Sequence, residues 1–178
     1  RRRRLYLMGR IISIAQVPAE ISVFIDANIF IYHFIYETAE SQWCTSLLKK
    51  IEDEEIKGYT STVVLAEISH RLMVFEAIEK YKLNSKNAVR FLKEHPDEVK
   101  ALHKHFNAVN EIKEMGIHII AVKPDDIFAS QVPQKKYGFL TNDSINLHLM
   151  LRDSLFNLAS NDPDFERVDF LTIYKPNP

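Results

Sequence analysis

Glycine is scarce in this chain: four residues in 178, at Gly9, Gly58, Gly116 and Gly138. No two stand close enough to build G-x-G-x-x-G or a Walker A loop, which removes dinucleotide and nucleoside-triphosphate sites of those types. Cysteine is scarcer still. Cys44 alone excludes a disulfide framework and any C-x-x-C zinc or redox site, and gives no sign of an oxidising compartment. A G-x-S-x-G serine nucleophile is missing. No apolar run approaches the roughly 18 residues that span a bilayer. The start, Arg1-Arg2-Arg3-Arg4 followed by Leu5 to Met8, faintly imitates a signal peptide, but Arg10 interrupts it. The expectation is a cytoplasmic protein without membrane contact.

What is present has the periodicity of one α/β domain, as expected at about 150 residues per domain. Residues 1–20 stand apart as a basic N-terminal extension, and the organised domain is expected from Ile21 onward, residues 21–178. Short β-branched and aromatic runs at Ile21–Ile25, Tyr59–Ser61, Ile117–Val122, Asn157–Ser160 and Phe170–Tyr174 read as buried strands. Helical patterns separate them. Trp43, Leu47, Leu48 and Ile51 mark one helix, which Gly58 is expected to stop; Leu65, Ile68 and Leu72 mark a second. Residues of about 80–115 form a helical insert of two helices. Its second helix carries the stripe Val99, Leu102, Phe106, Val109 and Ile112, more apolar surface than a lone helix exposes safely, so it packs either on its own domain or on a second copy, and a homodimer is the expectation. Apolar strands alternating with helices indicate a central mostly parallel sheet covered on both faces.

Open parallel sheets bind ligands beyond the carboxyl ends of their strands, and that rule selects acids by position. Asp26 directly follows the first strand and Asp162 follows the fourth by two residues. Glu67 lies in the helix after the second strand, among Val63, Leu65 and Ile68, and Asp143 stands in the first turn of a later helix. Taken singly, Asp143 reads as a helix cap and Asp162 as a turn residue. Taken together, the four cannot share a cleft unassisted, because two carboxylates ~4 Å apart repel by ~4 kcal/mol at an effective dielectric of ~20. A divalent cation resolves the repulsion, and all-oxygen ligands select a hard ion, Mg²⁺ or Mn²⁺. With four acids committed there, the rest of a chain of net charge −1 carries +3, compatible with a polyanionic substrate. Histidine chelation fares worse: His103 and His105, two apart on a helix, face different ways.

At this point the residues resemble a known family. Val23-Phe24-Ile25-Asp26-Ala27-Asn28, Leu65-Ala66-Glu67-Ile68, Leu140-Thr141-Asn142-Asp143 and Ala159-Ser160-Asn161-Asp162-Pro163-Asp164-Phe165 are similar, in order and spacing, to the four acidic motifs of PIN-domain ribonucleases. The nearest variety is the VapC-like toxin of prokaryotic toxin–antitoxin pairs. The resemblance implies a three-layer α/β/α sandwich and Mg²⁺- or Mn²⁺-dependent cleavage of RNA. It implies Asp26, Glu67, Asp143 and Asp162 as catalytic metal ligands, with Asn28, Ser160 and Asp164 in support. It also suggests a homodimer and an antitoxin partner. Arg71, one turn beyond Glu67, and Lys135-Lys136 are candidate phosphate contacts. Two other readings stay open on sequence: a PIN-like RNA-binding or RNA-processing module without a toxin role, and a structure-specific DNA nuclease.

Overall fold

A computed structural model describes residues 9–176. In chain order the elements are β1 (Arg10–Ser13), β2 (Ser22–Ile25), α1 (Ala27–Ile35), α2 (Ala39–Glu52), β3 (Lys57–Ser61) and α3 (Thr62–Tyr81). There follow α4 (Ser85–Glu94), α5 (Pro96–Lys100), α6 (Lys104–Glu114), β4 (His118–Ile120), α7 (Pro124–Ala129), α8 (Gln131–Tyr137), α9 (Thr141–Arg152), β5 (Asn157–Ala159) and β6 (Thr172–Lys175). A 3₁₀ turn at Pro163–Arg167 joins the last two strands.

The six strands form one sheet in the order β1-β6-β5-β2-β3-β4, and every pairing is parallel. Right-handed crossovers then fix the layers. The chain runs from β2 to β3 to β4 in one direction, which places α1–α6 on one face. It returns from β4 to β5 through α7–α9, which therefore cover the other face. Packing agrees: α1 meets α2 and α3, α3 meets α6, and α9 meets α7 and α8. The result is the expected α/β/α sandwich. Between the layers Val23, Phe24, Ile25, Leu158, Ala159 and Ile173 are completely buried.

Several boundaries depart from the sequence expectation. The fold starts before Ile21: Arg10–Ser13 pair with Thr172–Lys175 as an edge strand, so part of the supposed extension belongs to the sheet. The arginine run at residues 1–4 lies outside the described residues. Gly58 does not end α2 but sits inside β3, where a Cβ would come within 2.6 Å of the Ile51 side chain; the close helix–strand approach requires glycine there. Trp43 is half exposed rather than core. The insert holds α4, α5 and α6, not two helices, and its apolar stripe is broken at 101–103. Leu102 and Ile112 are buried within the chain, whereas Phe106 is 62% exposed. The local core thus absorbs much of the stripe that suggested a dimer. Among the described residues no helix is long and apolar enough to cross a membrane.

Candidate active site

The strand order reverses between β2 and β5, since the chain leaves β2 toward β3 on one side and comes back to β5 on the other. Such a switch point opens a crevice at the carboxyl ends of the two strands. Ile25 and Ala159 are register partners, so Asp26 and Ser160 emerge side by side, and the Asp26 N–H donates to the Ala159 carbonyl at 3.0 Å.

Asp26 caps α1, with Oδ1 accepting from the Ala27 N–H at 2.8 Å. Its Oδ2 accepts from the Asn28 amide at 2.5 Å and from the Ser160 hydroxyl at 2.6 Å. The Asn28 amide also donates to Ser160 Oγ at 3.1 Å, as does the Asp162 N–H at 3.0 Å. Asn28 Oδ1 accepts the Asn161 N–H at 2.9 Å. These bonds tie the residues after β5 to those after β2.

Asp162 caps the 3₁₀ turn, its Oδ1 accepting the Asp164 N–H at 2.8 Å. Asp164 turns away to Arg167, 2.8 Å distant, and is about half exposed. Asp143 is not the N-cap of α9; that position is Leu140, which leaves Asp143 in the first turn, half buried and with no hydrogen-bond donor from the described residues. What places α9 here is a buried bond from Ser61, at the end of β3, to Asn146 at 2.7 Å. At its far end, Arg152 and His148 reach Asp126 of α7 at 2.7 and 3.2 Å. Glu67 does not lie in an apolar pocket: its side chain is 30% exposed and pairs with Arg71 at 3.4 Å.

The four acids act on one another electrostatically. Burial pushes the Asp26 carboxyl up to about 6 against the pull of its Ser160 and Ala27 donors, and Glu67 and Asp162 raise it further. Asp143 is pushed up to about 7, first by burial and then by Asp26, Asp162, Glu67 and, last, Asp164. Among the described residues no three acidic, histidine or cysteine side chains close into a ready-made metal cage. The donor set nevertheless suits a hard cation. It is all oxygen, it carries excess negative charge, and among the described residues the Asp143 carboxylate accepts no hydrogen bond.

Other predicted residues lie outside this network. Arg71 is exposed on α3 beside Glu67. Lys135 and Lys136 are exposed at the end of α8, where Lys136 lies 4.8 Å from the Tyr137 ring centroid. Sequence reasoning passed over Asn161, whose amide donates to the Tyr32 hydroxyl at 3.0 Å, and over Asn146. An asparagine between Ile145 and Leu147 on a helix is the signal that Asn146 needed a buried partner.

A sequence model of the PIN domain matches residues 23–171, and the chain belongs to that family. Ribonuclease VapC2 of Methanocaldococcus jannaschii is 28% identical over 155 residues, which cover 86% of this chain and 93% of that protein. Among solved structures, Mycobacterium tuberculosis VapC20, described as a sarcin-ricin loop cleaving toxin, superposes with a TM-score of 0.55 at 14% identity, over 80% of this chain and 92% of that one. A chain of a toxin–antitoxin complex from Klebsiella pneumoniae gives 0.52 at 15% identity, over 86% of this chain and 97% of its own. These two likenesses concern the fold.

Proposed function

We propose that this chain is a metal-dependent endoribonuclease, the toxin of a prokaryotic toxin–antitoxin pair acting in the cytoplasm, with Asp26, Glu67, Asp143 and Asp162 as the ligands of Mg²⁺ or Mn²⁺. The observation that carries the reading is the convergence of carboxyls at the mouth of the β2/β5 crevice, where burial first and neighbouring carboxylates next raise Asp26 to about 6 and Asp143 to about 7. When bound there, the ion supplies positive charge for the attacked phosphate and acidifies a water for the attack. Ser160 and Asn28 hold Asp26 in one orientation, so that its carboxylate does not rotate as the ion arrives. Asp162 holds its own backbone turn and leaves Oδ2 for the ion.

RNA is favoured over DNA by the similarity to a protein named as a ribonuclease. An antitoxin partner is proposed because fold neighbours include toxin–antitoxin complexes. A homodimer is proposed on the exposed remainder of the insert's apolar surface, Phe106 above all. The deciding experiment incubates the purified chain with labelled RNA and DNA, with Mn²⁺ or with excess chelator. RNA cut only with the ion is the expected result. Cleavage that persists in chelator overturns the metal mechanism, preferential DNA cleavage makes the chain a DNA nuclease, and RNA binding without cutting makes it a binding module.

A further inference from the structure

An open groove of about 660 Å³ leads away from the carboxylates along α1, within the range of about 300–1,000 Å³ typical of ligand sites. Asn28 and Asp162 line its inner end, and Tyr32, Tyr36 and Arg71 line the way out. The two tyrosines lie one helical turn apart and their rings tilt together, with centroids 5.6 Å apart. Tyr32 is held in place, its hydroxyl accepting from the Asn161 amide at 3.0 Å. It braces Tyr36, which is 46% exposed. Among the described residues Arg71 is tied only by its 3.4 Å surface pair with Glu67, a kind of contact that contributes little to stability and that a phosphate can replace. Glu40, also in the groove wall, repels phosphate and leaves Arg71 as the side for the backbone.

A single exposed tyrosine signifies nothing by itself. Here a braced aromatic face, a guanidinium and Asp162, one member of the carboxylate cluster, share one groove. We propose that this groove holds an unpaired nucleotide of the RNA substrate beside the bond to be cut, its base stacked on Tyr36 and its phosphate on Arg71. The inference rests on the ribonuclease reading and adds to it that the strand must be single at this point. A paired base is already stacked on its neighbours and keeps its face from Tyr36, whereas every unpaired base offers a π-face.

The test is fluorescence anisotropy of a short fluorescein-labelled single-stranded RNA on the full chain, in excess chelator so that nothing is cut. Tyr36→Ala should weaken binding roughly 5- to 150-fold, the range for losing one stacking aromatic, while Tyr36→Phe keeps the affinity. Arg71→Ala should lower the slope of log K against log salt by about 0.7, one phosphate on a single strand. Duplex RNA should bind Tyr36→Ala and the unaltered chain alike. Unchanged single-strand affinity in Tyr36→Ala overturns the proposal, as does an equal loss for duplex, or no binding by the unaltered chain. The two readings fail separately. Tyr36-dependent binding without any cleavage in Mn²⁺ removes the ribonuclease and keeps the groove's nucleotide; cleavage with the same KM in Tyr36→Ala removes only the groove.

Discussion

Ser160 has one hydroxyl proton and two lone pairs, and all three are committed: it donates to Asp26 and accepts from Asn28 and from the Asp162 N–H. That fixes the backbone on which Asp162 and Asp164 stand two residues apart. Asp162 keeps one oxygen free of its capping bond and raises the pKa of both Asp26 and Asp143, whereas Asp164 pairs with Arg167 and is the weakest of the causes that raise Asp143. Asp162→Asn should therefore abolish most Mn²⁺ affinity by removing a charged ligand. The asparagine retains a carbonyl oxygen for the capping bond, so the fold should survive. Asp164→Asn should change the affinity only a few-fold. Calorimetric Mn²⁺ titration of both variants decides it, and a loss confined to Asp164→Asn reverses the assignment.

At the scale of elements, the break between α5 and α6 has a cause in α3. Glu76, 5% exposed, reaches across to accept the N–H groups of His103 and Lys104 at 3.1 and 2.8 Å. It caps α6 from another helix, and its charge sits at the positive end of the α6 dipole. Glu76→Ala leaves two donors unpaired and should cost about 1.5–3 kcal/mol, the range for charge-assisted bonds. Glu76→Gln keeps an acceptor and should cost about half. Urea unfolding measures both; an alanine variant as stable as the parent rules out the cap. This contact explains why the insert was misread. Val99, Leu102, Phe106, Val109 and Ile112 have helical spacing, but a spacing pattern does not register a break whose cap comes from a residue 27 positions earlier. The inner strands β2, β5 and β6 were legible because most of their side chains are buried by the layers on either face. Asp26 and Asp162 were legible because a strand end is a local feature. Glu67 was placed in apolar surroundings because Val63, Leu65 and Ile68 surround it in sequence, yet on α3 it faces outward toward Arg71. The edge strand β1 was missed because Arg10–Ser13 carries too little apolar pattern, and its partner β6 lies at the other end of the chain.

For the whole molecule, the carboxylate cluster is a cost to folding that the proposed cation would offset. Asp26 at about 6 and Asp143 at about 7 both stand above the ordinary carboxylate value of 3.8. Between about pH 4 and 7 the folded chain thus holds protons that the unfolded chain releases, and stability from these two groups is greatest at the acid end and falls as pH rises through 6 and 7. His105 opposes this trend, since burial lowers its pKa against the pull of Glu76, and acid then favours the unfolded state. The carboxyl contribution is isolated by Asp143→Asn, which removes the charge without breaking a hydrogen bond. In chelator at pH 7.5 this variant should be more stable than the parent by about 1–2 kcal/mol, a figure reduced for the solvent screening of a partly exposed side chain. At pH 3, below the ordinary carboxylate value of 3.8, both states hold the proton and the two should unfold alike. Mn²⁺ at about 100 times its Kd should then raise the parent's stability by about 2.7 kcal/mol and the variant's by much less, since the ion binds only the folded state. Urea denaturation at the two pH values, with and without Mn²⁺, checks all of this. If Asp143→Asn is the less stable protein at pH 7.5 in chelator, Asp143 contributes to the metal-free fold, and the repulsion that motivates a cation at the β2/β5 crevice does not exist.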